Sequence, residues 1–258
     1  MMKHLKTAVF GLAMGLSAMG AAQAETVKIG YSADPYPPFV WMDASGKWHG
    51  WEVEFKDAIC KEAKLDCQIE LLTWDGLVPG LVSKKIDLII GSLSITDERK
   101  KIIDFSDKYY STPAVLMIRK GEAVEATPES LDGKVIGVLV STIHQQYAVA
   151  HYPSAEVKEY QNQDEMYQDL AAGRVDAVLA DAIAIGDFLK TENGSCCESK
   201  GAVPDDPAIL GAGVGIALRQ GEDDLKARLN AAIKTIRENG TYDEISKKYF
   251  DFDIYGAK

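Results

Sequence analysis

An α/β protein of two lobes is the fold class that the sequence predicts, on three observations. Short apolar runs alternate with segments of helical periodicity for most of the length, the pattern of strands joined by helices in largely parallel sheets. The alternation comes as two series without internal sequence repetition. A chain of 258 residues also lies near the upper limit of what one core serves, so two compact lobes fit better than one.

In the first series, Val27 to Tyr31 reads as a strand, Glu52 to Ala63 as a helix, Gln68 to Leu72 as a strand and Gly76 to Lys84 as a helix. Ile86 to Gly91 follows as a fully apolar strand, and its carboxyl end delivers Gly91 to Ser94. Ligands in open α/β sheets gather at such carboxyl ends. The second series has a strand at Val135 to Leu139, helices at Thr142 to His151 and Asp164 to Ala172, and a strand at Ala177 to Ala180. A long helix at Asp223 to Glu238 is stopped by Asn239-Gly240, and Thr241-Tyr242-Asp243-Glu244 matches a capping box that starts a last short helix. No Pro- or Ser-rich linker separates the halves.

The first residues have the physics of a secretory signal. Lys3 and Lys6 make a positive start, Ala8 to Ala18 an apolar stretch, and Ala22-Gln23-Ala24 a small-residue cleavage site. The apolar stretch is too short and too broken by glycine for a retained membrane span, so a mature protein beginning at Glu25 is expected. It carries 26 basic against 39 acidic residues. That acidic surface excludes nucleic acid as a natural partner; it favours cationic solutes mildly, and serves solubility equally well.

Enzyme and cofactor signatures are missing from the sequence. There is no Gly-x-Ser-x-Gly elbow, and His4, His49, His144 and His151 do not group at metal-ligand spacing. Neither cysteine pair has the spacing or histidine company of a zinc site. Gly211, Gly213 and Gly215 lack the preceding strand and the spacing of a dinucleotide fingerprint. No metal and no cofactor is expected.

The stretch that carries chemistry is Gly91-Ser-Leu-Ser-Ile-Thr-Asp-Glu-Arg99. Its hydroxyls and backbone amides sit just ahead of one guanidinium, which can grip both oxygens of a carboxylate while hydroxyls and N–H groups fill the remaining lone pairs. On these residues alone, a strand end followed by a solvated helical turn is the competing reading.

With four further blocks the choice changes. The run continues through Lys100 to Tyr110, and joins Tyr36-Pro37-Pro38-Phe39, Gly50-Trp51-Glu52-Val53-Glu54, Gly173-Arg174-Val175-Asp176-Ala177, and Gly240-Thr241-Tyr242-Asp243 with Lys248-Tyr249-Phe250. In this order the blocks make the chain resemble the periplasmic solute-binding proteins that serve polar amino-acid ABC importers. The resemblance implies the type II two-lobed periplasmic-binding-protein fold, with the ligand cleft between the lobes. It implies a signal peptide at 1–24, a first lobe at 25–110 that returns at 214–258, a second lobe at 115–204, and crossovers at 111–114 and 205–213. It also implies a periplasmic monomer whose partners are an amino acid and a membrane permease.

An amino-acid zwitterion loses water from two charges on entering a cleft, and each charge needs a partner there. By resemblance, Arg99 takes the α-carboxylate with the N–H groups of Ser94 and Ile143 and the hydroxyl of Thr142. The Ser92 carbonyl, the Ser94 hydroxyl and Asp181 take the ammonium; the competing role for Asp181 is a helix N-cap. Asp176, at the other end of the same strand, is read as structural. The ligand side chain is expected between Tyr36 and Trp51, where aromatic faces suit an aliphatic stem and suit a cation better. Leu139 belongs to the same ligand-binding set. Relatives also carry a disulfide at the Cys60/Cys67 spacing, which implies a bond joining a helix to the next strand. For Cys196-Cys197, free thiols, a vicinal bond and an intermolecular bond all stay open.

Three departures bear on specificity. Binders of basic amino acids place an acid three residues before the first aromatic, where this chain has Ala33; Asp34 is the expected substitute. Gly91 replaces a serine of several such proteins. In the second-lobe loop Ser141-Thr142-Ile143-His144, Ile143 keeps only its N–H, and His144 either faces the ligand side chain or is a surface residue near a helix start. The expected function is the receptor of an importer for a basic amino acid or an arginine-derived opine. A neutral polar ligand such as glutamine is the alternative, and a cyclohexadienyl-dehydratase-like enzyme on the same fold is a remoter one. A sensor fused to a membrane receptor is not expected, since no transmembrane segment follows the binding region.

Overall fold

The computed structural model describes residues 25–256; the expected signal segment lies outside them. The chain begins with β1 (Glu25–Ser32), passes through the ribbon β2 (Trp41–Met42) and β3 (Trp48–His49), and enters α1 (Trp51–Glu62). Then come β4 (Leu65–Leu72), a 3-10 turn at Trp74–Gly76, α2 (Leu77–Val82), β5 (Leu88–Ile89), α3 (Asp97–Lys100) and β6 (Asp104–Tyr110). The middle of the chain holds β7 (Ala114–Arg119), β8 (Val135–Leu139), α4 (Ile143–His151), β9 (Glu156–Tyr160), α5 (Gln163–Ala171), β10 (Ala177–Asp181), α6 (Ala182–Phe188) and β11 (Cys197–Ala202). It closes with α7 (Pro207–Leu210), β12 (Val214–Leu218), α8 (Asp223–Glu238) and α9 (Thr241–Ser246).

The strands form two five-stranded sheets, ordered β4-β1-β5-β12-β6 and β11-β7-β10-β8-β9. The sequence predicts largely parallel sheets; the structure is mixed. β4, β1 and β5 run parallel, as do β10, β8 and β9, but β12 is antiparallel to both β5 and β6, and β7 to both β10 and β11. The antiparallel strands lie on either side of the two passages between sheets, residues 111–113 and 203–213, the second of which holds the short helix α7.

Both sheets are covered on two faces. In β10, Ala177 and Leu179 pack into one apolar cluster and Val178 and Ala180 into another. In the first sheet Leu88, Ile216 and Leu218 pack on one side, Ile89 and Ala217 on the other. The period of two explains why these strands read as continuous apolar runs. α8 covers the first sheet with Leu229, Ala232, Ile233 and Ile236, a spacing of three and four that lines one helical face.

Cys60 at the end of α1 is bonded to Cys67 in β4. Cys196 and Cys197 are free, their sulfurs 2.8 Å apart. The capping box is not realised: Gly240, in the left-handed region, is the N-cap of α9 and gives no side-chain bond. The Thr241 N–H goes instead to Asn239 Oδ1 at 3.0 Å. Asp176 accepts the Val135 N–H at 2.9 Å, tying β8 to the turn before β10.

Candidate functional site

Carboxyl ends of strands from both sheets converge on one cavity. β1 ends at Ser32 and the loop after it brings Asp34 and Tyr36; the turn after β4 brings Trp74; and the segment after β5 brings Gly91, Ser92, Ser94 and Arg99. From the second sheet come Leu139 at the end of β8, Thr142, Ile143 and His144 at the start of α4, Gln161 to Gln163 after β9, and Asp181 at the end of β10.

Arg99 sits in α3, whose N-cap Thr96 accepts the Arg99 N–H at 3.2 Å. Its guanidinium donates from Nη1 to the Ser94 carbonyl at 2.9 Å and from Nη2 to the Ser141 carbonyl at 3.1 Å, so it links the two lobes. Burial draws its pKa down to about 10, against the opposing charge of Glu98; it stays cationic at neutral pH. No carboxylate of the described residues pairs with it. Two carbonyls fix the fork of donors while its charge is left for an anion.

Around it, side chains hold the loops in place. The Thr142 hydroxyl caps α4 by accepting the Gln145 N–H at 3.1 Å and donates to the Leu139 carbonyl at 2.6 Å. Ser141 has φ 61° and Ser92 φ 57°, so on each side of the cleft a serine adopts the left-handed conformation that L residues seldom take. His144 is pushed down to about 4 by burial and then by the Arg99 charge, leaving it neutral near pH 7.

Two buried carboxyls face the cavity without a cationic partner among the described residues. Asp181 is the N-cap of α6, accepting from Ile183 N at 2.8 Å and Ala184 N at 3.4 Å, and also from the Thr112 hydroxyl. Cap and cavity-lining residue are therefore one and the same. Burial raises its pKa and these three donors pull it back. Glu52, which the sequence analysis does not single out, is the second such group. It accepts from Ser92 N at 2.7 Å, Ser92 Oγ at 3.1 Å and Tyr109 OH at 2.5 Å, and burial raises it to about 7.

Trp51 is a correction. It is fully buried, stacked on Phe55 at 5.3 Å and Tyr109 at 6.0 Å, and its Nε1 donates to Ser246 Oγ at 3.0 Å; it does not line the cavity. The reason is helical period: Trp51, Phe55 and Ile59 share the buried face of α1. Trp74 lines the cavity with Tyr36 instead. Its position just past the carboxyl end of a parallel strand was the available signal. Tyr36 is backed by Phe39, stacked at 5.4 Å, and Trp74 by an apolar cluster. The Trp74 Nε1 is buried with no partner among the described residues. Asp34 lies on the same part of the lining, its pKa raised by burial and by Asp164 and Glu165 across the cleft. A Cβ at Gly91 would meet nothing closer than 3.8 Å, so this glycine leaves usable space.

Two lobes of mixed α/β structure with a charged cleft at their strand ends define a solute-binding fold. The chain belongs to the bacterial extracellular solute-binding proteins, family 3, whose model matches residues 27–252. It is 41% identical to the L-arginine-binding protein of Pseudomonas aeruginosa, over 98% of this chain and 99% of the other. It is also 41% identical to the lysine/arginine/ornithine-binding periplasmic protein of Escherichia coli, over 95% and 96%. Among solved structures, an ancestral arginine-binding protein bound to arginine superposes with a TM-score of 0.81 at 31% identity, covering 88% of this chain and 99% of that one.

Proposed function

We propose that this protein is a non-catalytic periplasmic receptor for an amino acid with a cationic side chain, and that it hands its ligand to the membrane permease of an ABC importer as a closed monomer. The observation that carries the reading is the pairing of opposite needs in one cavity. Arg99 has its geometry fixed and its charge unpaired, while Asp181 and Glu52 are carboxyls without a cation. A zwitterion supplies both missing charges, and a ligand with only one would leave a buried charge uncompensated.

In this reading Arg99 takes the α-carboxylate, aided by the N–H groups of Ser94 and Ile143. Asp181, the Ser92 carbonyl and the Ser94 hydroxyl take the ammonium. Tyr36 and Trp74 flank the side chain, and Asp34 takes its distal charge in the acidic field of Asp164 and Glu165. Export through residues 1–24 follows the same reading. The names of the relatives, which include a histidine-binding periplasmic protein of Salmonella typhimurium, support the ligand class.

One observation favours a neutral ligand such as glutamine: a solved structure similar to this chain, with a TM-score of 0.79 at 32% identity, is an ancestral arginine-binding protein bound to glutamine. Calorimetric titration of protein unfolded and refolded to strip bound ligand, against L-arginine, L-lysine, L-ornithine, L-histidine and L-glutamine, separates the two. Tighter binding of the cationic set supports the first; preference for glutamine supports the second.

A further inference from the structure

We propose that Glu52 is the positioning residue of the ammonium site: it fixes Ser92 in its left-handed turn, and it releases a proton to solvent when an amino acid's ammonium arrives beside it. The proposal rests on the amino-acid reading above and deepens it.

Glu52 is the second residue of α1, immediately after Trp51 anchors the helix in the core. Gly50 makes this approach possible, because at φ 120° a Cβ there would lie 2.2 Å from the Phe39 carbonyl oxygen. The carboxyl is fully buried, yet it lines the cavity that holds Ser92, Ser94 and Asp181. Its two oxygens take both donors of Ser92, N–H and hydroxyl, and so fix the turn from two points. The Ser92 carbonyl accepts no hydrogen bond from the described residues, which leaves it for the ligand.

The groups that act on Glu52 most strongly are neutral or acidic, while Arg99 lines the same cavity and is held by two carbonyls, and Lys56, one turn on in α1, is paired with Asp57. Tyr31 lies on β1, Tyr36 on the loop after it, Tyr109 and Tyr110 on β6, and Asp181 across the cleft. A carboxyl so surrounded is divided between its protonated and ionised forms near neutrality, because burial lifts it to about 7. An ammonium ion beside it is the missing countercharge and selects the ionised form. With the pKa raised in the free protein and lowered in the complex, binding strengthens as pH rises. From pH 6 to pH 8 the gain is about tenfold if the complex is fully ionised. His144, held near 4, contributes nothing in that window.

The test is calorimetric titration with L-arginine at pH 6, 7 and 8, in buffers of different ionisation heat, on the refolded parent and on Glu52→Gln. The parent is expected to release about half a proton at pH 7 and to gain about tenfold in affinity from pH 6 to pH 8. Glu52→Gln is expected to bind more weakly at pH 8, with a flat profile and no release, while its melting temperature without ligand is unchanged or higher. Glu52→Asp should restore the release, and it reads the profile if the amide variant does not fold. A parent that binds without releasing a proton, or a Glu52→Gln protein that keeps the profile, overturns this inference and leaves the receptor intact. The latter result would make Asp181 the source of the proton. A parent that binds none of the five amino acids, alongside an Arg99→Ala variant that behaves identically, overturns both.

Discussion

Trp51 and Trp74 show how one residue type divides between core and cleft. Both are tryptophans near the amino end of a helical turn, and only their neighbours distinguish them. Trp51 begins a run of buried residues four apart, with Phe55 and Ile59, whereas Trp74 stands alone after a strand. Replacing Trp51 by alanine is expected to cost about 3–5 kcal/mol of stability, as for other buried aromatics. Replacing Trp74, which is only partly buried against its cluster, by alanine should cost less stability than this and weaken arginine binding by roughly 1–3 kcal/mol. Chemical denaturation and calorimetry on the two variants read the difference; the opposite assignment of effects would restore Trp51 to the cleft. Asp34→Asn should weaken binding of L-arginine and L-lysine more than of L-glutamine, and equal losses would remove Asp34 from specificity. The Gly91 to Arg99 stretch was legible in the sequence because hydroxyls, glycine and a guanidinium fall together. Glu52 was not, because a glutamate in the first turn of a helix reads as a favourable surface charge.

At the scale of elements, the sequence is clearest where burial and period agree. α8 matches its predicted span of Asp223 to Glu238, and β8 its span of Val135 to Leu139. β6, β7, β11 and β12 were not foreseen; they pair antiparallel next to the passages between sheets, and periodicity does not encode strand direction. Similarly, the box at Thr241 to Glu244 failed because the left-handed Gly240 takes the cap position itself. The Cys60–Cys67 bond ties α1 to β4, so it braces the helix that carries Glu52 from the far end. Its loop is short, and a Cys60→Ser/Cys67→Ser variant is expected to lose about 2–3 kcal/mol of stability with little change in affinity. A loss of affinity at unchanged stability would mean that the bond acts on the cleft and not on the fold.

For the whole molecule, charge in the cleft opposes stability and serves binding. Glu52 is raised to about 7 from 4.5, so the folded state holds more protons than the unfolded one between these values, and stability falls as pH rises through that range. His144 is lowered to about 4 from 6.5, so the unfolded state holds more protons, and stability rises with pH through that range. The two oppose each other between about pH 5 and 6.5, and Asp181 and Asp34, also raised, act in the same sense as Glu52. Melting temperatures of unliganded protein across that range read the two contributions by difference from the parent. Glu52→Gln should tilt the profile toward a rise with pH and His144→Asn toward a fall; the reverse changes of slope would contradict the burial of these groups. The two-lobed plan was legible from the double series of strands and helices. The bridge from Arg99 to the Ser141 carbonyl was not, because residues 42 apart in sequence meet only when the lobes do.

The central claim is that an unpaired guanidinium between two lobes is the anchor of an amino acid's carboxylate. Calorimetric titration of L-arginine into refolded parent and Arg99→Ala protein at pH 8 tests it most directly. Saturable one-to-one binding by the parent, and an affinity lower by at least a hundredfold in a variant of nearly unchanged melting temperature, is the expected result for a desolvated pair losing its charge. An Arg99→Ala protein that binds L-arginine within tenfold of the parent would contradict it.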